Sequence, residues 1–203
     1  MADNQTLWSD THSSKGDNVS WYQPPGSRSL EMIRSAAPMR EAPIIDIGSG
    51  ASRLADDLLA AGYSDLTLLD ISGIALDRTR DRLGAAAGKV SWIVADITQW
   101  KPNRVWDVWH DRAVFHFLTD HAAQEAYIAA MKQATRSGSA VILSTFALTG
   151  PEKCSGLPVQ RYSAETLATR LGPDFELCAA EAEQHHTPFG TTQDFIYTGF
   201  RRR

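Results

Sequence analysis

With 203 residues the chain has room for one domain and a sizeable core, but two independent catalytic domains would be cramped, since single domains of up to about 250 residues are common. A formal net charge of −4 argues against a general electrostatic grip on nucleic acid, which needs clustered Lys and Arg, and the one basic run, Arg201-Arg202-Arg203, is a tail. Two cysteines, Cys154 and Cys178, are too few for a disulfide scaffold; no basic-then-apolar leader opens the sequence, and no apolar run approaches the roughly 20 residues that span a bilayer. A cytoplasmic protein is therefore expected, without membrane or nucleic-acid partners, as a monomer or homodimer.

Residues 1–28 are polar and bear Gly and Pro, yet they carry Trp8, Trp21 and Tyr22, which a disordered tail seldom holds. They are expected to fold back as an arm or lid, ahead of one domain over 29–203. Leu30, Met32, Ile33 and Ala37 suit a short helix closed by Pro38 and Pro43. Ile44 to Ile47 then reads as a strand, Gly48-Ser49-Gly50 as a turn and Ser52 to Ala61 as a helix stopped by Gly62. Leu66 to Asp70 is a second strand, and Ser72 caps a helix to about Leu83. Strands are expected at Val90–Ala95, Val105–His110 and Ser139–Phe146, with helices from Asp120 to about Arg136 and from a Ser163 cap to about Leu171. Short apolar strands alternating with amphipathic helices imply an α/β domain whose parallel sheet is covered on both faces. The last two strands, Phe175–Ala180 and Asp194–Phe200, lack a crossover helix and should pair antiparallel.

The loop Asp46-Ile47-Gly48-Ser49-Gly50-Ala51-Ser52 offers bare backbone and a helix N-terminus to a ligand. The third glycine of the dinucleotide fingerprint would fall at Arg53, which makes this a poor pyrophosphate loop. Asp70 stands at the end of the second strand, about 20 residues beyond the glycines, where a carboxylate can accept ribose hydroxyls. Asp96 ends the third strand, placed for an adenine amino group with Ile97 against the ring. One or more of His110, Asp111 and His116 should face the cleft beyond the fourth strand.

Asp-Ile-Gly-Ser-Gly-x-Ser, Leu-Leu-Asp70, Ala-Asp96-Ile and Trp-Asp107-Val-Trp together resemble the ordered motifs of class I S-adenosylmethionine (SAM)-dependent methyltransferases, over Ile44 to about Phe146. The resemblance implies a Rossmann-like seven-stranded sheet in order 3-2-1-4-5-7-6 with strand seven antiparallel. It implies SAM as cofactor, held by Asp46, Gly48, Ser49, Gly50, Asp70, Ile71, Asp96, Ile97 and His110. Val19-Ser20-Trp21-Tyr22 and His110-Asp111-Arg112-Ala113-Val114-Phe115 are more loosely similar to a branch that includes protein-lysine methyltransferases, with Arg112 where those have Lys.

The expected reaction moves a methyl group to a nucleophilic N, O or S of a small molecule or a protein lysine. Asp111, His116 and His185 are the candidate proton acceptors. Trp21, Tyr22, Arg112 and Cys154 are candidates for substrate contact or lid. The segments Gly150–Pro158 and His185–Gly190 read as loops able to meet across the cleft, and the spacing of Cys154, His185 and His186 matches no zinc pattern, so no metal is expected. Gly48→Val is expected to abolish cofactor binding in a folded protein. The rivals are a nicotinamide-dependent oxidoreductase, disfavoured by Arg53, and a non-catalytic SAM-binding module.

Overall fold

The four residues Ile44–Ile47 are all buried, as are Leu66–Asp70 and all of Ala140–Phe146, so these strands must lie inside a sheet with both faces covered. The structure, a computed structural model, describes residues 5–10 and 27–203. Its elements are α1 (5–10), α2 (Arg28–Ala36), β1 (Ile44–Ile47), α3 (Leu54–Ala60), β2 (Leu66–Asp70), α4 (Gly73–Leu83), β3 (Val90–Val94), β4 (Val108–Arg112), α5 (His121–Ala134), β5 (Ala140–Phe146), β6 (Lys153–Cys154), β7 (Leu157–Pro158), α6 (Ala164–Leu171), β8 (Phe175–His186) and β9 (Thr192–Arg202). Short 3₁₀ turns at Gly84–Lys89 and Phe115–Phe117 join α4 to β3 and β4 to α5.

The main sheet runs β3-β2-β1-β4-β5-β9-β8. Counting its own strands only, this is the expected order 3-2-1-4-5-7-6; β9 is antiparallel to β5 and β8, and every other pair is parallel. Ile44 sits opposite both Leu66 and Val108, so the chain crosses over between β3 and β4 and leaves a crevice at the carboxyl ends of β1 and β4. Helices α2, α3 and α4 bury Leu30, Ile33, Leu54, Leu58 and Leu76 on one face. Helices α5 and α6 bury Tyr127, Ile128, Met131, Leu167 and Leu171 on the other.

The helix starts follow their caps. Ser72, Asp120 and Ser163 each accept a backbone N–H from three residues ahead, and Ser163 forms a reciprocal capping box with Thr166. Two boundaries differ from expectation. β4 starts at Val108 rather than Val105, because Trp106 N–H is drawn to Ala134 O and the N–H groups of Asp107 and Val108 to Pro43 O before the ladder begins. This shift brings Asp111 and Arg112 into the strand. The late strands are about twice as long as expected, so His185 and His186 lie in β8 and the turn is confined to 187–191. β8 is an exposed edge whose Glu181 and Glu183 break the apolar alternation, and its extension is held by backbone pairing to β9 rather than by burial.

Candidate functional site

The loop after β1 is held from below and from the side. Gly48 and Ser49 donate their N–H groups to Leu69 O at 2.7 and 3.1 Å, and Thr79 Oγ1 donates to Gly50 O at 3.1 Å. Gly50 N–H donates to Asp70 Oδ2 and Ser72 N–H to Asp70 Oδ1, both at 2.8 Å. Burial outweighs these hydrogen bonds and pushes the Asp70 carboxyl up to about 6. Gly48 and Gly50 take φ values of 63° and 52°, the left-handed region that favours glycine. Ser49 Oγ, buried inside this loop, has no hydrogen-bond partner.

Not every expected cofactor residue faces that space. His110 is buried, with Nδ1 at 2.6 Å from Asp46 Oδ1 and Nε2 at 2.8 Å from Ser29 Oγ, so both ring nitrogens are committed to ties among α2, β1 and β4. Its place is beneath the loop, not at a ligand. Asp96 takes Thr98 N–H and Thr98 Oγ1–H on Oδ1 and Gln99 Nε2–H on Oδ2, the pattern of a turn-forming aspartate, and Ile97 is packed into the core. The open apolar groups beside Asp70 are instead half-buried Ile71, exposed Ile74 and exposed Val94, whose methyls lie over Gly73.

Asp111, at the end of β4, faces α5. Its carboxylate accepts from Val114 N–H (2.8 Å), Phe115 N–H (3.0 Å) and Tyr127 Oη–H (2.6 Å), and burial pushes its carboxyl up to about 6. It brackets a turn instead of presenting a proton acceptor to the cleft. Within that turn Ala113 has φ 71°, and Val114 lies over the glycine loop so closely that a Cβ on Gly48 would fall 2.0 Å from Val114 Cγ2. The expectation for Gly48→Val therefore changes: the added side chain meets the protein itself before it meets any ligand.

On the opposite face, four residues singled out in the sequence gather around one ring pair. Phe146 of β5 and Phe195 of β9 stack edge to face with centroids 4.8 Å apart. Arg112 places its guanidinium 4.5 Å from the Phe195 centroid and donates Nε–H to Tyr197 Oη at 2.8 Å. His116 lies 4.7 Å from Phe146, His185 lies 6.0 Å from Phe195, and buried Cys154 packs in the same cluster, its thiol pushed up to about 11 by burial. Phe146 N–H donates to His116 Nδ1 at 3.3 Å, which leaves the ring hydrogen on Nε2. Burial first, and then the Arg112 charge, lowers the His116 imidazole to about 3. That geometry makes His116 a hydrogen-bond donor, not a base. Ser144, Phe146, Phe195 and Tyr197 were missed in the sequence; the alternation of Phe195 and Tyr197, and a serine inside the apolar run of β5, are the signals that point to them.

Trp21 and Tyr22 lie outside the described residues. The described part of the arm, α1, sets Trp8 edge to face on Phe117 at 5.1 Å and brings Ser9 Oγ to 3.2 Å from Ser72 Oγ. It thus bridges the segments that follow β2 and β4. Among the described residues no group of three or more His, Cys, Asp or Glu side chains is placed to hold a metal ion, and no helix is long and apolar enough to cross a membrane.

Residues 44–138 match the model of a family described as a methyltransferase domain. That match, over just under half of the chain, and the strand order above together support a class I SAM-dependent methyltransferase domain. The chain is similar to a SAM-dependent methyltransferase from Anabaena variabilis ATCC 29413, with a TM-score of 0.75 and 14% identity over 100% of this chain and 94% of that one. It is similar to a structure concerned with conversion of a disulfide bond into a thioacetal group during echinomycin biosynthesis (TM-score 0.75, 17% identity, 98% and 92% covered). A third is the Burkholderia thailandensis 1,6-didemethyltoxoflavin-N1-methyltransferase with bound 1,6-didemethyltoxoflavin and S-adenosylhomocysteine (0.68, 15%, 99% and 86%). At these identities the likeness is one of fold. No curated protein matches the chain by sequence.

Two expected outcomes follow from this geometry. Gly48→Ala should lower stability by about 1–3 kcal/mol, the scale of overpacking plus a left-handed alanine, and Gly48→Ala combined with Val114→Ala should regain part of it; denaturant titration of both variants checks this. Stability should also carry opposing pH terms. Asp70 and Asp111 bind protons more readily folded than unfolded, so their contribution falls as pH rises from about 4 to 6, whereas His116 binds them less readily and its contribution rises through the same window. Asp111→Asn removes one falling term, so the variant should gain more stability than the parent between pH 4.5 and 6.5; equal slopes in urea titrations would contradict the assignment.

Proposed function

We propose that this chain transfers the methyl group of SAM to a nucleophilic N, O or S of a small molecule. The observation that carries the reading is the buried Ser49 hydroxyl, left without a partner inside a glycine loop whose neighbour Asp70 stands at the end of β2. Such a loop suits a ligand that ends in a carboxylate and carries a ribose. Ser49 Oγ and the loop backbone would hold the amino-acid end, Asp70 the ribose hydroxyls, and Ile71, Ile74 and Val94 the flat face of the adenine. Asp46, under the loop, adds negative charge on that side. When bound, SAM supplies an electrophilic methyl group on a sulfonium.

The chain's own work is then to align a nucleophile and exclude water. Asp111 acts as a positioning residue by fixing the 113–115 turn against Gly48. His185 is the imidazole facing the aromatic cluster that we assign as proton acceptor for an acceptor that arrives protonated. A small-molecule acceptor is favoured over a protein lysine because Arg112, in the position of the lysine-methyltransferase motif, is half buried, stacked on Phe195 and bonded to Tyr197. We assign α1 and the rest of the arm as a lid, on the contacts of Trp8 and Ser9 with residues that flank the site.

Calorimetry with SAM tests the reading: the parent should bind, and Asp70→Ala should lose about 1–3 kcal/mol of affinity with the fold retained. Absence of SAM binding by the parent would overturn it. Removing residues 1–26 should leave a cooperative thermal transition but weaken SAM binding or turnover; hydrogen exchange in α1 that is the same with and without SAM and acceptor would reject the lid.

A further inference from the structure

The His116 Nε2–H group is fully buried and has no acceptor, and the buried Ser144 hydroxyl has no partner either. Leaving such groups unpaired costs free energy, and native structures keep them chiefly where a ligand or a water completes them. Their surroundings specify which ligand. Ser144 lies between Arg112 and Tyr197 across the β4-β5-β9 register and on the same face as Phe146, against which His116 packs. Three of these groups can donate to a ligand: an imidazole N–H, a hydroxyl and a guanidinium that adds positive charge. The nearest acidic side chains of β8 on that face, Glu181 and Glu183, are turned to Arg28 at 2.6 and 3.9 Å. Packed in the same cluster are rings, Phe117, Phe146 and Phe195, with Arg112, Ala113 and Phe117 half buried at its margin.

We propose that the methyl acceptor binds at this cluster and is an aromatic molecule bearing an anionic oxygen, which His116 Nε2–H and Ser144 Oγ–H bind beside the Phe117, Phe146 and Phe195 rings. His116 is thereby a specificity-determining donor rather than a base. The inference rests on the methyltransferase reading above, but its failure is separable, because cofactor binding is measured independently.

The test uses the full chain saturated with S-adenosylhomocysteine and three probes of one shape: benzoate, benzamide and benzylammonium. Benzoate should bind at least about tenfold tighter than benzylammonium, the scale of one charge-assisted hydrogen bond, with benzamide between them. His116→Phe should weaken benzoate by about tenfold or more and leave S-adenosylhomocysteine affinity unchanged. ¹⁵N spectra should show the proton on His116 Nε2 and a shift of that resonance as benzoate is added. Preference for benzylammonium, benzoate affinity untouched by His116→Phe, or a His116 resonance that ignores saturating benzoate would each overturn the proposal even when the cofactor binds. If S-adenosylhomocysteine itself fails to bind, the methyltransferase reading falls, and the benzoate and His116→Phe arms run on the cofactor-free chain still decide whether His116 and Ser144 bind an anion.

Discussion

The carboxylate of Asp70 is the tie on which the rest of the site depends. It receives Gly50 N–H from the loop after β1 and Ser72 N–H from the start of α4, so one buried acid fixes the two segments that follow the neighbouring parallel strands β1 and β2. Parallel strands end with backbone donors that no neighbour in the ladder can take, and the loops leaving them must find other acceptors. A carboxylate in that place satisfies two at once. Its burial raises the acid to about 6, so the tie is made at a cost that the surrounding packing offsets. A polar group held this way at the edge of a ligand space is prepared to exchange one partner for another.

Asp111 repeats the device two strands over, on β4, and on the other face. There the donors are Val114, Phe115 and Tyr127, and the turn so fixed reaches back over the sheet to press Val114 on Gly48. The two carboxylates are therefore mechanically linked through the glycine loop. The left-handed Ala113 belongs to this arrangement, since the chain must leave β4, send Ala113 N–H to Ser144 O and still cover Gly48. Changes in the turn should accordingly be felt at the glycine loop before they are felt in the core.

Much of the frame was legible because its signals are local. The strands before Gly48, before Ser72 and after Lys89 are short apolar runs between turn residues, and the caps at Ser72, Asp120 and Ser163 declare the helices that follow. What was not legible depends on partners distant in sequence. The start of β4 is set by Pro43 O and Ala134 O, which no inspection of Val105–His110 reveals. His110 looked like a residue of the cleft until its cross-strand neighbour Asp46 and Ser29 of α2 were seen to take both its nitrogens. Asp96 carries the family's spacing, yet its own Thr98 and Gln99 occupy the carboxylate. The aromatic chamber was foreseen only as scattered candidates, Arg112, His116, Cys154 and His185, because antiparallel pairing of β9 with β5 is what assembles them around Phe146 and Phe195.

Electrostatics along the carboxyl edge of the sheet follow the same division and bear on the chemistry. Asp46, Asp70 and Asp96 stand at the tips of β1, β2 and β3, whereas Arg112 stands at the tip of β4, with the donor nitrogen of His116 just beyond it and buried Ser144 beside it on β5. Asp111 does not blur this separation, since its charge is spent on the far face against Tyr127. A cationic sulfonium therefore belongs over the acidic half, and an anionic acceptor over the other. In a water-poor site such a field is stronger than in solvent. Methyl transfer to an anionic acceptor brings opposite charges together and neutralises both, so groups that bind the charges apart must hold them without suppressing the reaction. The Phe146 and Phe195 rings meet that requirement on the acceptor side: Arg112 is stacked against Phe195 and bonded to Tyr197, its charge softened by an aromatic face and a phenol. The site thus orients an anion while leaving its nucleophilic electrons available to the methyl carbon.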